Sequence, residues 1–208
     1  MINIKIDNNK SPNFIGAWNI DNDNLCKDII NFFEQNLELQ QKGTTSLGVN
    51  EKIKKTTDIT INPSKLTDPK YKVFNDYFKQ LNECFISYKN QYSFIKTFLH
   101  KAHIGHFNIQ KYEPGDHFSH LHSERTNISN LHRIFAWMTY LNDVSDGGTT
   151  DFNYYDIKIK PEVGKTLIWP AEWTHAHAGE ILNSGLKYIV TGWMHFPYVN
   201  DGDEKDQI

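Results

Sequence analysis

Five of the ten histidines in this chain fall in two short clusters, and their types and spacing suit metal binding. The first cluster reads His117-Phe118-Ser119-His120-Leu121-His122-Ser123-Glu124, the second Trp173-Thr174-His175-Ala176-His177. On an extended strand, residues two apart face the same side, so His122 and Glu124 point together into one cavity. His120 faces the same way as His122, and His175 the same way as His177. Only His122 has a carboxylate two residues on. Two imidazoles and one carboxylate on a single octahedral face hold a divalent metal and leave positions open for other ligands. Borderline nitrogen with hard oxygen suits ferrous iron, and without a nearby thiolate a structural zinc site is disfavoured. A His-x-Glu pair alone is weak, because it arises often by chance. Its weight depends on the elements that position it.

Those elements differ between the two halves. In the first, Asp21-Asn22-Asp23-Asn24 precedes Leu25, Ile29, Ile30, Phe32 and Phe33, a capping cluster followed by a helical apolar stripe. Residues 57–61 read as a short strand. Residues 69–95 carry Val73, Phe74, Tyr77, Phe78, Leu81, Phe85 and Tyr88 at the spacing of one long amphipathic helix. The second half is strand-rich. Residues 104–112 alternate, 133–141 form a continuous apolar and aromatic run, and 150–160, 166–169 and 187–194 are aromatic or β-branched. Pro114-Gly115, Gly147-Gly148, Pro161, Gly164, Pro170 and Gly185 punctuate them. Many short strands at this spacing predict a sandwich or barrel. The fold expected is α+β: a double-stranded β-helix (jelly roll) with flanking N-terminal helices. It forms one domain over 1–208, with 1–100 as helical support and 101–198 as the catalytic core.

A length of 208 residues suits one such domain, and 38% hydrophobic with 13% aromatic residues supplies a core, which excludes disorder over most of the chain. The net charge of −3 and the lack of a basic stripe disfavour nucleic acid as partner. The one lysine cluster, residues 52–55, reads as a solvated loop. Cys26 and Cys84 sit in helix-like patterns as buried free thiols. With no secretory or membrane-spanning pattern, a cytoplasmic, reducing setting is the default. Trp169 and Trp173 read as core or rim packing, Phe118, Phe135 and Phe152 as core, and Gly147-Gly148 as a turn rather than a phosphate cradle. The polar tail Asp201–Asp206 is expected to fray.

Taken in order, Tyr112-Glu113-Pro114-Gly115 through Glu124, Arg133 to Asn142, Gly147-Gly148 to Phe152, and Pro161 to Trp193 resemble the prolyl-4-hydroxylase-like branch of the 2-oxoglutarate/Fe(II) oxygenase superfamily. Within it they resemble the type found in phages and marine bacteria. The resemblance covers roughly residues 104–197, and it lies in the order and spacing of motifs. It implies Fe(II), 2-oxoglutarate and O2 as cofactors, and hydroxylation of a C–H bond with succinate and CO2 as co-products. It implies that His122, Glu124 and His177 bind the metal, Glu124 standing where most of the superfamily has Asp. Spacing to Gly185 and Lys187 favours His177 over His175. Lys187 resembles the base that pairs with the far carboxylate of 2-oxoglutarate, and Tyr140 and Thr191 the hydroxyls that complete that pocket. Tyr112 resembles a tyrosine lining the cofactor site. Met138 shares a strand face with Tyr140 and packs on the keto-acid chain. Trp193 resembles the aromatic beside the metal, and Arg133 an arginine at the substrate mouth. The substrate implied is a peptide, a peptidyl proline above all, or a small molecule, in a groove between loops 119–132 and 144–155. The rival reading is a cupin-like jelly roll that binds a metal or ligand without catalysis. A buried Lys187 opposite the metal has no purpose there.

Overall fold

The computed structural model describes residues 1–3, 13–45 and 48–196. The acidic tail Asp201–Asp206 lies outside the described residues, as does most of the polar N-terminal stretch. In chain order the elements are β1 (Ile2–Asn3), β2 (Gly16–Asn19), α1 (Asp23–Gln35), β3 (Gln41–Lys42), β4 (Thr57–Ile61), α2 (Lys72–Gln91), β5 (His103–Ile104), β6 (Phe107–Tyr112), β7 (Phe118–His122), β8 (Arg133–Tyr140), β9 (Thr150–Phe152), β10 (Ile157–Ile159), β11 (Lys165–Pro170), β12 (His177–Gly179) and β13 (Lys187–His195). They build two antiparallel sheets. The major sheet runs β1-β2-β11-β8-β13-β6-β4-β3, with β5 on the end of β13; the minor sheet runs β10-β9-β12-β7.

The major sheet separates two cores, and its side chains alternate between them. Phe135, Trp137 and Leu141 of β8 and its end, with Tyr188, Val190 and Met194 of β13, pack against the helices. Ala136, Met138 and Tyr140, with Ile189 and the partly buried Trp193, face the minor sheet. A strand buried on both faces has no polar side to show, which is why residues 133–141 read as an unbroken apolar run. The helices behind the sheet obey simple local rules. The Asn22 side chain accepts from the Leu25 N–H to cap α1, whose buried stripe is Leu25, Cys26, Ile29, Phe32 and Phe33. From α2, Tyr77 hydrogen-bonds to Thr139 at 2.7 Å, and Thr139 to Thr166 at 2.7 Å, so a hydroxyl chain pins helix to sheet without an unpaired polar group.

Four expectations need correction. The long helix is three pieces: a 3-10 turn Pro69–Tyr71, α2, and a second 3-10 turn Ser93–Thr97. Asp68 and Pro69 close the first turn, and Tyr92 at φ −116° and ψ 72° leaves helical space. Residues 150–160 are a hairpin, β9 and β10, because Asn153–Tyr155 coil and Asp156 turns through the left-handed region at φ 54°. Residues 104–112 are interrupted at Gly105-His106, giving β5 and β6. The lysine cluster is not wholly solvated: Lys54 is buried and paired with Asp58 at 2.5 Å. Beyond these, the first hundred residues also place β2 against β11 and β4 against β6, so they extend the major sheet as well as back it. No helix among the described residues is long and apolar enough to cross a membrane.

Candidate metal centre and co-substrate cavity

In the minor sheet His177 of β12 stands directly opposite His122 of β7, with Phe152 of β9 on its other side. Opposed residues of an antiparallel pair present their side chains together, so two imidazoles far apart in sequence meet with ring centroids 4.4 Å apart. Glu124 lies two residues past the end of β7, and strand alternation alone does not aim it. Its backbone carbonyl accepts from Arg133 Nη1 at 3.0 Å, and its Oε2 accepts from the Trp193 indole N–H at 2.7 Å. The other oxygen, Oε1, is thereby turned to His177 Nε2 at 3.4 Å and His122 Nε2 at 3.8 Å. One ligand atom from each of His122, Glu124 and His177 lies within 4.8 Å of the others, and no other such group of three His, Cys, Asp or Glu occurs among the described residues.

The hydrogen bonds set the tautomers. His122 Nδ1 meets the His120 carbonyl at 2.8 Å, and His177 Nδ1 meets the His175 carbonyl at 2.9 Å. A carbonyl only accepts, so each Nδ1 carries the proton and each Nε2 keeps a lone pair toward Glu124. Burial, aided by the neighbouring His177, pulls the His122 pKa down to about 4, which keeps this ring neutral and able to ligate. Burial pushes Glu124 upward, but His177 and His122 beside it and the Trp193 N–H outweigh that and hold the carboxyl at about 2. His120 and His175 therefore serve the site through their backbone oxygens. The His175 ring is spent on the Asn13 carbonyl at 2.9 Å and the Thr174 hydroxyl at 3.0 Å.

Lys187, Ile189, Thr191 and Trp193 share the inner face of β13, and Tyr112, Met138 and Tyr140 face them from β6 and β8. Lys187 is buried. Its ammonium donates to the Gly148 carbonyl at 3.0 Å and lies 3.9 Å from the centre of the Tyr112 ring. It forms no ion pair among the described residues, and burial lowers its pKa to about 8 against a partial pull from Glu180. The Gly147-Gly148 turn, at φ 77° and 70°, makes this possible: a β-carbon at Gly148 would press on Lys187 Cδ at 3.2 Å. Tyr140 OH donates to Thr150 Oγ1 at 2.6 Å and Thr191 Oγ1 donates to the Trp137 carbonyl at 2.8 Å. Each hydroxyl must rotate away from its protein partner to serve a carboxylate.

Arg133 lies over the Trp193 ring, its guanidinium carbon 3.6 Å from the centroid. Its Nε is buried without a hydrogen-bond partner among the described residues, as is Nε2 of His195, which stands opposite Arg133 in the sheet. Sequence reasoning missed His195. Its only signal was position, two residues after Trp193 on the same strand face. Phe118 is only partly buried and stacks on His122 at 3.9 Å and 17°, so it is a wall of the site rather than core. Trp169 and Phe152 are core and border His177, whereas Trp173 is 66% exposed on the rim beside Tyr154.

A jelly roll that brings two imidazoles and a carboxylate to one point has the donor set of a non-haem mononuclear iron site. The sequence model of the 2OG-Fe(II) oxygenase superfamily matches residues 107–195. Over these residues the chain is similar to that superfamily, whose description carries 2-oxoglutarate and Fe(II). A probable prolyl 4-hydroxylase 9 of Arabidopsis thaliana is 26% identical over 124 residues, 47% of this chain and 43% of the plant protein, so the chain spans less than half of that relative. Similar folds are found in the viral collagen prolyl hydroxylase of Paramecium bursaria Chlorella virus-1 (TM-score 0.64, 19% identity, 88% of this chain and 97% of that one). They also occur in a Pseudomonas putida prolyl-4-hydroxylase (0.68, 15%, 90% and 95%) and a Trichoplax adhaerens prolyl hydroxylase in complex with a hypoxia inducible factor peptide fragment (0.67, 16%, 88% and 84%).

Proposed function

We propose that this protein is an Fe(II)/2-oxoglutarate-dependent dioxygenase that hydroxylates a C–H bond of a peptide, with a peptidyl proline as the favoured target. The observation that carries the reading is Lys187: a buried cation without a carboxylate partner among the described residues, on the same face of β13 as Trp193, which holds Glu124 of the three converging metal-type donors. An unpaired buried charge is costly, and an anionic ligand that brings its own carboxylate removes the cost. A cupin-like binding protein gives that lysine no task. The donor set fits iron, and no thiolate is among it.

Within this reading His122, Glu124 and His177 hold the metal, and the bound iron and keto acid supply the oxidising chemistry. The chain's own part is orientation. Trp193 and Arg133 fix Glu124 so that one oxygen faces the metal position. Lys187, helped by Tyr140 and Thr191 once their hydroxyls turn, takes the far carboxylate of 2-oxoglutarate. Met138 and Tyr112 wall its carbon chain, and the apolar lining excludes water. Arg133 Nε and His195 Nε2, opposed in the sheet and buried without partners among the described residues, become available to a substrate when the side chains over them move aside. Burial and the surrounding His132 and Arg133 hold His195 at about 4, so its ring is neutral near pH 7. The exposed Leu121, Ile128, Leu131, Tyr154 and Trp173 give the flanking loops an apolar rim suited to a peptide. The peptide fragment bound by the Trichoplax adhaerens protein is in keeping with such a substrate. Residues 101–198 act as the catalytic core and 1–100 as its support. The buried free thiols Cys26 and Cys84 are in keeping with a reducing, cytoplasmic setting.

The test is an anaerobic titration of Fe(II)-loaded protein with 2-oxoglutarate, followed by succinate release in air with and without a proline-containing peptide library. A visible charge-transfer band that vanishes in Lys187→Ala, and a peptide gaining the mass of one oxygen, are expected. Absence of the band in the unmodified protein overturns the reading.

A further inference from the structure

A chain of buried polar groups behind the Lys187 end of the cavity has no direct part in the proposed reaction. Lys54 pairs with Asp58 Oδ2 at 2.5 Å, and both side chains are about 5% exposed or less. Thr56 Oγ1 donates to Asp58 Oδ1 at 2.7 Å, and Gln110 Nε2 donates to Asp58 Oδ2 at 3.3 Å. Tyr112 OH then donates to Gln110 Oε1 at 2.8 Å, and the ring of Tyr112 lies beneath the Lys187 ammonium.

The direction of the chain is forced. Asp58, paired with an ammonium, only accepts, so Gln110 must offer it the amide N–H and turn its carbonyl oxygen to Tyr112. The phenol therefore donates back toward Asp58. It has no proton left for a ligand in the cavity, and what Tyr112 presents to Lys187 is its ring face. The register carries the same relation across three strands: Asp58 stands opposite Gln110, and Tyr112 opposite Lys187. The ion pair also borders the metal end, since Lys54 Nζ lies 5.6 Å from the Phe118 ring that stacks on His122.

We infer that Asp58 and Gln110 are positioning residues for co-substrate binding: acting through the Tyr112 hydroxyl, they fix the aromatic ring that holds Lys187 at the closed end of the cavity. This rests on Lys187 being the carboxylate anchor. A tilted ring lets the lysine relax toward Gly148 and leaves the arriving carboxylate with a misplaced cation.

Two readouts test it. The first is the NMR signal of the Lys187 ε-methylene, assigned by its loss in Lys187→Arg, which a ring face shifts upfield. The second is the dissociation constant of 2-oxoglutarate, measured by anaerobic calorimetry on the Fe(II)-loaded protein. Tyr112→Phe and Gln110→Leu should each move the signal toward the ordinary lysine position and raise the constant roughly fivefold, the worth of one hydrogen bond. The double variant should be no weaker than either single one, because both cut the same link. Independent structural roles would instead multiply. Gln110→Leu strands the buried Tyr112 hydroxyl donor and can fail to fold; Tyr112→Phe removes one oxygen and decides the matter alone. An unshifted signal and an unchanged constant in Tyr112→Phe would overturn the inference. Failure of the unmodified protein to bind 2-oxoglutarate would instead sink the proposed function, and the ε-methylene signal would still decide whether the Asp58 chain sets Lys187.

Discussion

The two ends of the β13 inner face are opposite in character. At the Trp193 end, two imidazole lone pairs and a carboxylate held at about 2 form an electron-rich corner that lacks a cation. At the Lys187 end, an ammonium lies between a carbonyl and an aromatic ring and has no ion-pair partner among the described residues. Each end alone is unfavourable, since buried charge without a partner costs several kcal/mol. Together they suit the guest of the proposed function: a metal ion at one end, and at the other the far carboxylate of a molecule that also reaches that metal. The polarity of the slot, more than any single residue, separates a keto-acid site from a plain metal-binding jelly roll.

The widest break in this comparison comes from the electron-rich end. His177→Ala is expected to lower Fe(II) affinity by on the order of a hundredfold or more, with loss of turnover, since a ligand atom outweighs the groups that orient it. His175→Ala keeps the backbone carbonyl that orients His177 and should cost far less. Metal titration of the two variants decides it, and the reverse order would move the distal ligand to His175. At the other end, Lys187→Ala is expected to weaken 2-oxoglutarate by about a hundredfold, the scale of a buried charge-assisted pair. Fe(II) binding should stay within about twofold, because the change lies at the far end of the cavity. Calorimetry with each ligand separates the ends, and a matching loss of metal affinity would contradict their independence.

Trp193 sharpens the picture on a smaller scale. Trp193→Phe keeps the ring under Arg133 but deletes the N–H that ties Glu124 Oε2. Metal affinity should fall roughly tenfold, as for other groups that orient a ligand. An unchanged affinity would mean that Arg133 and the backbone suffice to aim Glu124. A glutamate has one more rotatable bond than an aspartate, and this tie answers how the longer arm is held to one geometry.

Legibility in the sequence followed periodicity and register. The helices and the long strands announced themselves because their apolar residues recur at 3.6 or fill both faces of a strand. The hairpin at residues 150–160 did not, since its turn uses Asp156 in the left-handed region rather than a Gly or Pro signal. β2, four residues long, has too few positions to show alternation. At the site, His122 and Glu124 were readable as a spaced pair, but their convergence depends on Trp193 and Arg133, which no local pattern ties to them. His195 and Gln110 stayed hidden, because an unpaired ring nitrogen and a relay amide acquire meaning only once strands 50 or more residues apart lie side by side.

The mildest perturbation is deprotonation of the cation end. Burial sets the Lys187 pKa at about 8 in the free protein, below its ordinary 10.5. Glu180 is the charged group that acts on it, opposing the shift, and Tyr112 offers only its ring. A folded pKa below the unfolded one means that the unfolded chain binds more protons between about pH 8 and 10.5, so this lysine makes folding more favourable as pH rises through that window. Ligand binding runs the other way. The far carboxylate needs the ammonium, so the dissociation constant of 2-oxoglutarate should be flat below about pH 8 and rise above it, by at most tenfold per pH unit. Lys187→Arg, which stays charged, should flatten that rise even if its overall affinity is lower. Calorimetry from pH 6.5 to 9.5 on both proteins reads the slope. An equal rise in the arginine variant would assign the titration to another group and leave the cation end without its switch.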